Sequence, residues 1–399
     1  MYCRFGIDRA FVCACEDGDT HRCVLSGPAI VDSCAMGAFA SKEEPEEKPD
    51  KVRASLERHV EQGFAPAAAV VVVKNGCVVT KFACGGGKGG RVCSLEKTVF
   101  QTASISKTFI AALCVQCAER KELSLDTDIC QFVGGDGDGF TARNPYFPNV
   151  AITVRHLLQH KSSLTDDESA LRVGEFRWPA DKAAEASIPL QDYLKKRLAD
   201  PRLWSSSKQP GSADYHYSNC GFAILGLVLE RTTGKSVEML ARERIFLPLG
   251  MQTTSFFLAE LKKVKQSDSG QQTKILHFAE PEGYGHYEVA EFPACQVRTT
   301  ANDLLRWMME VLEGFPLLFE DAHSKMILMP SNYENGCAWW GKDASYGKKG
   351  ENVWSHGGFM EGIRTHIFVW PETKSGSFVL LNGEGDYTRI EEAMYAAAK

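Results

Sequence analysis

The stretch Phe100–Phe109, FQTASISKTF, carries the reading of this chain. Within it Ser104-Ile105-Ser106-Lys107 spells S-x-x-K. Val99-Phe100 just ahead reads as a short strand-like approach. Ser104 to Leu123 then has a helical pattern, with Ile105, Phe109, Leu113 and Cys117 on one side. A serine that opens a helix sits near free backbone N–H groups and the positive end of the helix dipole. Lys107 falls one turn later, on the same face as Ser104. Burial or a neighbouring cation lets a lysine amine accept a hydroxyl proton. A serine cap beside a solvated lysine has the same spelling, and Ser94–Lys97, Ser205–Lys208 and Ser345–Lys348 match the bare motif too. Only Ser104 combines a strand-like approach with a long helix.

Two further motifs bear on the same chemistry. Tyr217-Ser218-Asn219 is Y-x-N, and Gly221–Thr232 after it reads as a helix. A tyrosine near a lysine can relay the serine proton to a leaving group. The Asn219 amide can hold both Lys107 and a substrate carbonyl. His356-Gly357-Gly358-Phe359 precedes a strand-like stretch. Two small residues there let a substrate backbone lie close to an edge strand. The Phe359 N–H can join the Ser104 N–H as the oxyanion hole that acyl transfer needs. Taken singly, a Tyr-Ser-Asn triplet or a His-Gly-Gly turn is ordinary structure.

In order and spacing the three motifs together resemble the serine β-lactamase and penicillin-binding-protein superfamily. The chain is most similar to class C β-lactamase-like serine hydrolases and their esterase and peptidase relatives, including the eukaryotic β-lactamase-like serine protease group. Further stretches look like family signatures: Leu123–Asp128 (LSLDTD), Ile152–Leu164 (ITVRHLLQHKSSL), Ile245–Met251 (IFLPLGM), Thr299–Trp307 (TTANDLLRW) and Phe378–Asn382 (FVLLN). The resemblance runs from about residue 50 to the C-terminus. It implies that Ser104 is the acylated nucleophile, that Lys107 and Tyr217 are the base pair, and that Asn219 positions. His356-Gly357-Gly358 takes the place of the family's Lys-Thr-Gly. The resemblance implies no metal and no cofactor.

The departures matter. With Lys-Thr-Gly changed to His-Gly-Gly, the cation and hydroxyl that grip a β-lactam carboxylate are missing, and a neutral His356 binds that carboxylate poorly. This favours ester or peptide substrates over antibiotic hydrolysis. Lys374-Ser375-Gly376 is literally closer to Lys-Thr-Gly, but it reads as a turn between two strands. Pro210-Gly211 stands five residues before Tyr217, one more than in relatives, which suggests a local bulge beside the base.

Strand patterns occur at both chain ends and helical ones between. Ala67–Val73 and Cys77–Ala83, joined by Lys74-Asn75-Gly76, read as a hairpin. Ile363–Trp370 and Ser377–Asn382 are β-rich, and a helix closes the chain from Thr388. Val154–His160, Leu190–Leu198, Val237–Ile245 and Thr300–Leu312 read as helical. The expected fold class is therefore α+β: an antiparallel sheet built from both chain ends and flanked by helices, with an inserted, mainly helical lobe. Residues 1–49 form a Cys-rich extension and an acidic linker, Glu43–Asp50 (EEPEEKPD). Residues 50–399 form the hydrolase domain, its sheet lobe from about 50–100 and 290–399 and its helical lobe from 101–289. A first helix is expected from Pro49 to about Glu61, with Val52, Leu56 and Val60 on one face. Gly85–Gly90 (GGGKGG) contains G-x-G-x-x-G but no helix follows, so it reads as a flexible loop.

The 399 residues are 44% hydrophobic and 24% charged, an ordinary balance for a globular chain. The net charge of −6 argues against nucleic acid as a main partner. The expected partner is a small-molecule or peptide substrate, with self-association into a homo-oligomer left open. The longest apolar run, around Ala67–Val73, is far short of the roughly 20 residues a membrane span needs. Charges through the first 30 residues interrupt any signal-peptide core. With 14 cysteines, no zinc spacing and no N-x-S/T sequon, the expectation is free thiols in a reducing, cytoplasmic compartment, with organellar processing of residues 1–42 left open. Cys114 and Cys117 read as buried thiols. His156 and His160 at i, i+4 lack the glutamate of a zinc-protease helix, and Asp136 and Asp138 do not complete a calcium loop. Lys262, Lys263 and Lys265 read as a solvated face. Trp339 and Trp340 fit either core packing or a wall of the substrate pocket. The expected function is a serine hydrolase acting through an acyl-enzyme on an ester or amide, whether a small ester, a short peptide or a β-lactam-like substrate, with the serine activated by lysine and tyrosine. A catalytically inactive scaffold on the same fold, binding a ligand or self-assembling, is the alternative.

Overall fold

A computed structural model describes residues 47–399 except 88–90, 135–136, 138, 167–175, 184–187, 213, 264–276, 281–282, 332–335 and 342–351. The chain divides into two units, Met1–Glu47 and Lys48–Lys399, and the fold below is that of the second. Helix α1 (Glu47–Glu61) leads into the hairpin β1 (Ala67–Lys74) and β2 (Cys77–Gly87), then β3 (Arg91–Val92) and β4 (Thr98–Gln101). The helical lobe carries α2 (Ser106–Glu119), α3 (Val154–Leu158), β5 (Arg177–Pro179), α4 (Leu190–Leu198), α5 (Asn219–Thr233), α6 (Val237–Ala241) and α7 (Leu258–Lys263). After β6 (His277–Phe278), β7 (Tyr287–Val289), α8 (Phe292–Cys295) and β8 (Arg298–Thr300) come α9 (Ala301–Leu312) and α10 (Ala322–Leu328). The chain ends with β9 (Trp340–Gly341), β10 (Trp354–Met360), β11 (Ile363–Trp370), β12 (Ser375–Leu381) and α11 (Thr388–Ala398).

The main sheet has the order β3-β2-β1-β12-β11-β10-β9, with every neighbour antiparallel. Its first and last strands in sequence meet at its centre, where Val70 lies opposite Val379. The sheet is therefore closed by both chain ends, as expected of an α+β fold. Strand β1 is an unbroken buried run, AAAVVVVK, rather than an alternating one. The reason is that both faces are covered. Val71 and Val73 enter the large core shared with α2 and α9, while Val70 and Val72 meet Val52 and Leu56 of α1 and Ile390 and Met394 of α11. Each fully buried valine contributes roughly 1.5–3 kcal/mol relative to exposure. The hairpin turn uses Asn75 and Gly76 at φ 50° and 77°, the paired left-handed geometry of a tight two-residue turn.

Several local expectations change. Gly85–Gly87 are not loop: they extend β2 and pair with β3. Gly85 has φ +85°, and a Cβ there would lie 2.3 Å from the Pro66 carbonyl oxygen. Helix α2 starts at Ser106, not Ser104, and is buried all round from Ser106 to Cys117. A helix wrapped by core on every side has no solvated face, so the one-sided stripe was only part of its packing. Helix α3 stops at Leu158 and His160 lies beyond it at φ +54°, so His156 and His160 do not share a helix face. Val237–Ile245 splits into α6 and a π-helical turn, Arg242–Phe246. No helix among the described residues is long and apolar enough to cross a membrane. The nine described cysteines are free thiols, Cys114 and Cys117 among the buried ones. Asp136, Asp138 and Lys265 lie outside the described residues, whereas Lys262 and Lys263 end α7.

Candidate active site

Ser104 sits in a 3₁₀ turn, Ala103–Ile105, between β4 and α2. Hydroxyl side chains clamp that turn. The Thr102 N–H and Oγ1 both donate to Val297 O, at 2.8 and 3.0 Å, and Thr365 Oγ1 donates to Thr102 O at 2.8 Å. Ser106 Oγ donates to Ala103 O at 2.6 Å and accepts from the Val297 N–H at 2.9 Å. Ala103 is held at φ +46°, a left-handed conformation that alanine rarely adopts and that the surrounding bonds sustain.

Lys107 is fully buried. Its Nζ donates to Ser104 Oγ at 3.2 Å, to Asn219 Oδ1 at 2.6 Å and to Ala294 O at 2.9 Å. All three ammonium donors are thus engaged. Tyr217 OH donates to Ser104 Oγ at 2.7 Å. The Tyr217 ring lies 4.7 Å from Lys107 Nζ and stacks on His160 at 4.6 Å. Burial, and after it the charge of Lys107, pushes the His160 imidazole well below its ordinary pKa. Neutral His160 accepts the Ser218 N–H on Nδ1 at 3.0 Å.

Asp166, which no motif singles out, holds the Tyr-Ser-Asn segment in place. Its carboxylate accepts from Ser218 Oγ at 2.9 Å, from the Asn219 N–H and from the Cys220 N–H at 3.3 Å. These are donors at the start of α5, where a carboxylate meets free N–H groups and the helix dipole. Burial nevertheless raises its pKa, with the Ser218 hydrogen bond opposing. Glu291, just before α8, accepts from Tyr193 OH at 2.8 Å, and burial, reinforced by Asp166, raises its pKa from 4.5 to about 7. In sequence both carboxylates look like ordinary loop residues, since their partners are 52 and 98 positions away.

Strand β10 runs beside the serine turn. A Cβ on Gly358 would fall 2.1 Å from Thr365 Oγ1 and 2.7 Å from Thr102 O, so only glycine permits this approach. Gly357 is different: its Cβ would meet nothing nearer than 3.7 Å. His356 is buried, and Nδ1 lies 2.6 Å from Ala338 O. A carbonyl oxygen can only accept, so Nδ1 carries the proton. Burial first, then Lys107, pushes the His356 pKa down to about 3, which leaves a neutral ring with a lone pair on Nε2. Phe359 follows at the strand end, its side chain 72% exposed beneath the Arg364 guanidinium. Strand β9 pairs with Trp354 and Ser355, and among the described residues no strand covers the His356–Met360 edge opposite β11.

The structure thus brings together Ser104, Lys107, Tyr217, Asn219 and the His356–Phe359 strand. Rival motifs lie elsewhere. Lys208 pairs with Asp214 at 3.4 Å, Lys374 pairs with Glu313 at 2.8 Å, and Ser345–Lys348 lies outside the described residues. Gly211 does mark an irregular turn, at φ +80° against the His156 ring. Trp339 belongs to the core, whereas Trp340 is partly exposed beside Tyr217. Among the described residues no cluster of three or more His, Cys, Asp or Glu side chains is arranged to hold a metal ion.

An antiparallel sheet closed by both chain ends, with a helical lobe inserted and S-x-x-K at the junction, defines the β-lactamase/transpeptidase fold. Residues 52–399 match the Beta-lactamase family, and the chain belongs to that family. Similar proteins include protein flp of Staphylococcus aureus (strain N315), 22% identical over 83% of this chain and 62% of that one. The D-aminopeptidase of Brucella ovis is 26% identical over 84% of this chain and 59% of its own length. The chain therefore spans about three fifths of these curated relatives. Solved structures with this fold include an octameric penicillin-binding protein homologue from Pyrococcus abyssi (TM-score 0.66, 20% identity, 88% of this chain and 76% of that one). EstCE1, a hydrolase with promiscuous acyltransferase activity, has a TM-score of 0.64 at 18% identity, covering 88% of this chain and 99% of that one.

Proposed function

We propose that this protein is a serine hydrolase that cleaves an ester or amide of a small molecule or short peptide through an acyl-enzyme. The observation that carries this is the convergence of Tyr217 OH and Lys107 Nζ on Ser104 Oγ, at 2.7 and 3.2 Å. In the reactive state the Tyr217–Lys107 pair has given up one proton to solvent, so that as Ser104 Oγ attacks the carbonyl carbon its proton passes to the vacant position on that pair. The carbon–heteroatom bond then breaks, and Tyr217 returns that proton to the departing oxygen or nitrogen. Water repeats the sequence in reverse to free the acid. The N–H groups of Ser104 and Phe359 are assigned to the developing oxyanion. Asn219 holds Lys107 and receives the substrate carbonyl. Glycines 357 and 358 leave the β10 edge open for a substrate backbone. Neutral His356 offers no cation for a β-lactam carboxylate, which favours esters and peptides. The D-aminopeptidase among the similar proteins agrees with a peptide substrate, whereas class C β-lactamases share the same fold. We take residues 50–399 as the hydrolase domain and 1–49 as an extension.

The test is intact-protein mass spectrometry after a fluorophosphonate and, separately, a penicillin, with peptide mapping. The expected result is one fluorophosphonate adduct on Ser104 and none from the penicillin. Ser104→Ala should abolish labelling and turnover without unfolding the protein, and Tyr217→Phe should lower kcat by roughly 10²–10⁴-fold. Full turnover by Ser104→Ala would end this reading. Absence of any adduct on folded protein would favour an inactive scaffold.

A further inference from the structure

Two aromatic side chains reach solvent beside the proposed base, and acylation uses neither. The Trp340 ring lies 6.3 Å from Tyr217 at 28° and 6.3 Å from His356. Tyr215, 40% exposed, meets the indole edge-on at 4.5 Å. Trp340 is parallel to His160 within 2°, at 5.9 Å. His160, stacked on Tyr217 in turn, fixes the ring plane from behind. The indole is thus held beside Tyr217 and His356 by a layer of aromatic rings, whereas Trp339 next to it is core.

The departing atom must lie within hydrogen-bond reach of Tyr217 OH to receive its proton. Whatever that atom carries then rests against the groups flanking Tyr217. Among the described residues those groups include the partly exposed indole of Trp340 and the exposed Tyr215 ring, aromatic surfaces that favour contact with a flat ligand. Charge points the same way. His356 spends its one N–H on Ala338 O and turns a lone pair toward any anion. Lys107 has its three donors engaged by Ser104, Asn219 and Ala294. We infer, on the strength of the hydrolase reading above, that Trp340 and Tyr215 are a specificity wall for the leaving group. The preferred leaving group is a flat, uncharged aromatic alcohol or amine.

Calorimetry with 2-naphthol and 6-hydroxy-2-naphthoate reads this wall without turnover. Wild type should bind 2-naphthol about tenfold more tightly than Trp340→Ala does, with Trp340→Phe retaining most of the affinity. It should bind 6-hydroxy-2-naphthoate about tenfold more weakly than 2-naphthol, a comparison that needs no variant. The kcat/KM ratio of 2-naphthyl to phenyl acetate should fall in Trp340→Ala. If that variant does not fold, Tyr215→Ala replaces it, with an expected loss of about threefold or more. Equal affinity of wild type and variants for 2-naphthol, or preference for the carboxylate, would overturn the wall. Ser104 labelling separates the two readings. A labelled serine with naphthol binding indifferent to residue 340 removes the wall alone. An unlabelled serine with Trp340-dependent naphthol binding removes the hydrolase reading and with it the leaving-group role, and leaves Trp340 as a binding surface for a flat aromatic ligand.

Discussion

Ser104, Lys107, Tyr217 and Asn219 are all legible as residue types, because the proposed acyl transfer would need a nucleophile, a base and an amide at set intervals. Their partners are not legible. Glu291 is one such residue, buried between Tyr193 and the Lys107 neighbourhood, with its pKa raised to about 7. A carboxyl whose folded pKa exceeds its unfolded value favours the native state while protonated. Its contribution is complete below about pH 4.5 and is lost as pH rises through about 7. Glu291→Gln keeps an acceptor for Tyr193 and removes the titration. Urea unfolding at pH 5 and pH 8 should therefore show a smaller loss of stability with rising pH in Glu291→Gln than in wild type. An identical slope in both proteins would refute this account of Glu291.

At the scale of elements, the site depends on two close joins. Strand β10 touches the serine turn through Gly358, and a methyl there meets the Thr102 carbonyl, which cannot rotate away. Gly358→Ala should destabilise by about 1–3 kcal/mol or more and reduce turnover, as overpacking does. Gly357→Ala, whose methyl would make only ordinary contact with the His366 ring at 3.7 Å, should cost less than about 0.5 kcal/mol. Denaturant titration of the two variants checks the contrast. The second join is the start of α5, where Asp166 receives three donors. Asp166→Ala should cost about 1–2 kcal/mol, the value of a lost cap, and lower kcat because Tyr217 and Asn219 lose their anchor. Asp166→Asn, which keeps one acceptor oxygen, should recover part of both. Equal kcat in wild type and Asp166→Ala would show that the anchor is dispensable.

At the scale of the whole molecule, the sheet separates stability from chemistry. Its inner face builds the core beneath α2 and the serine turn, while its outer face is sealed by α1 and α11. Met394 is fully buried on that outer face. Met394→Ala should lower stability by about 2–5 kcal/mol through cavity formation. Turnover measured well below the melting temperature should be unchanged, because Met394 packs in the outer cluster with Val70 and Val72. A matching drop in kcat at that temperature would mean that the two faces are coupled.

The sequence alone determined the hairpin, the strands at both ends, most of the helices and the order of the three motifs. Periodicity, turn chemistry and short spacings are local properties, readable wherever the chain later folds. It misread Gly85–Gly87 as loop and placed His160 on a helix, because pairing with β3 and the turn after α3 are decided by neighbours. Only the tertiary structure decided that the S-x-x-K at Ser104 meets a tyrosine, since Ser104 and Tyr217 are 113 residues apart. It alone revealed Asp166 and divided Trp339 from Trp340. It also set the charge state of His356, which depends on burial, on the Ala338 carbonyl and on Lys107. These are contacts between distant segments, brought about by closing one sheet from both ends of the chain.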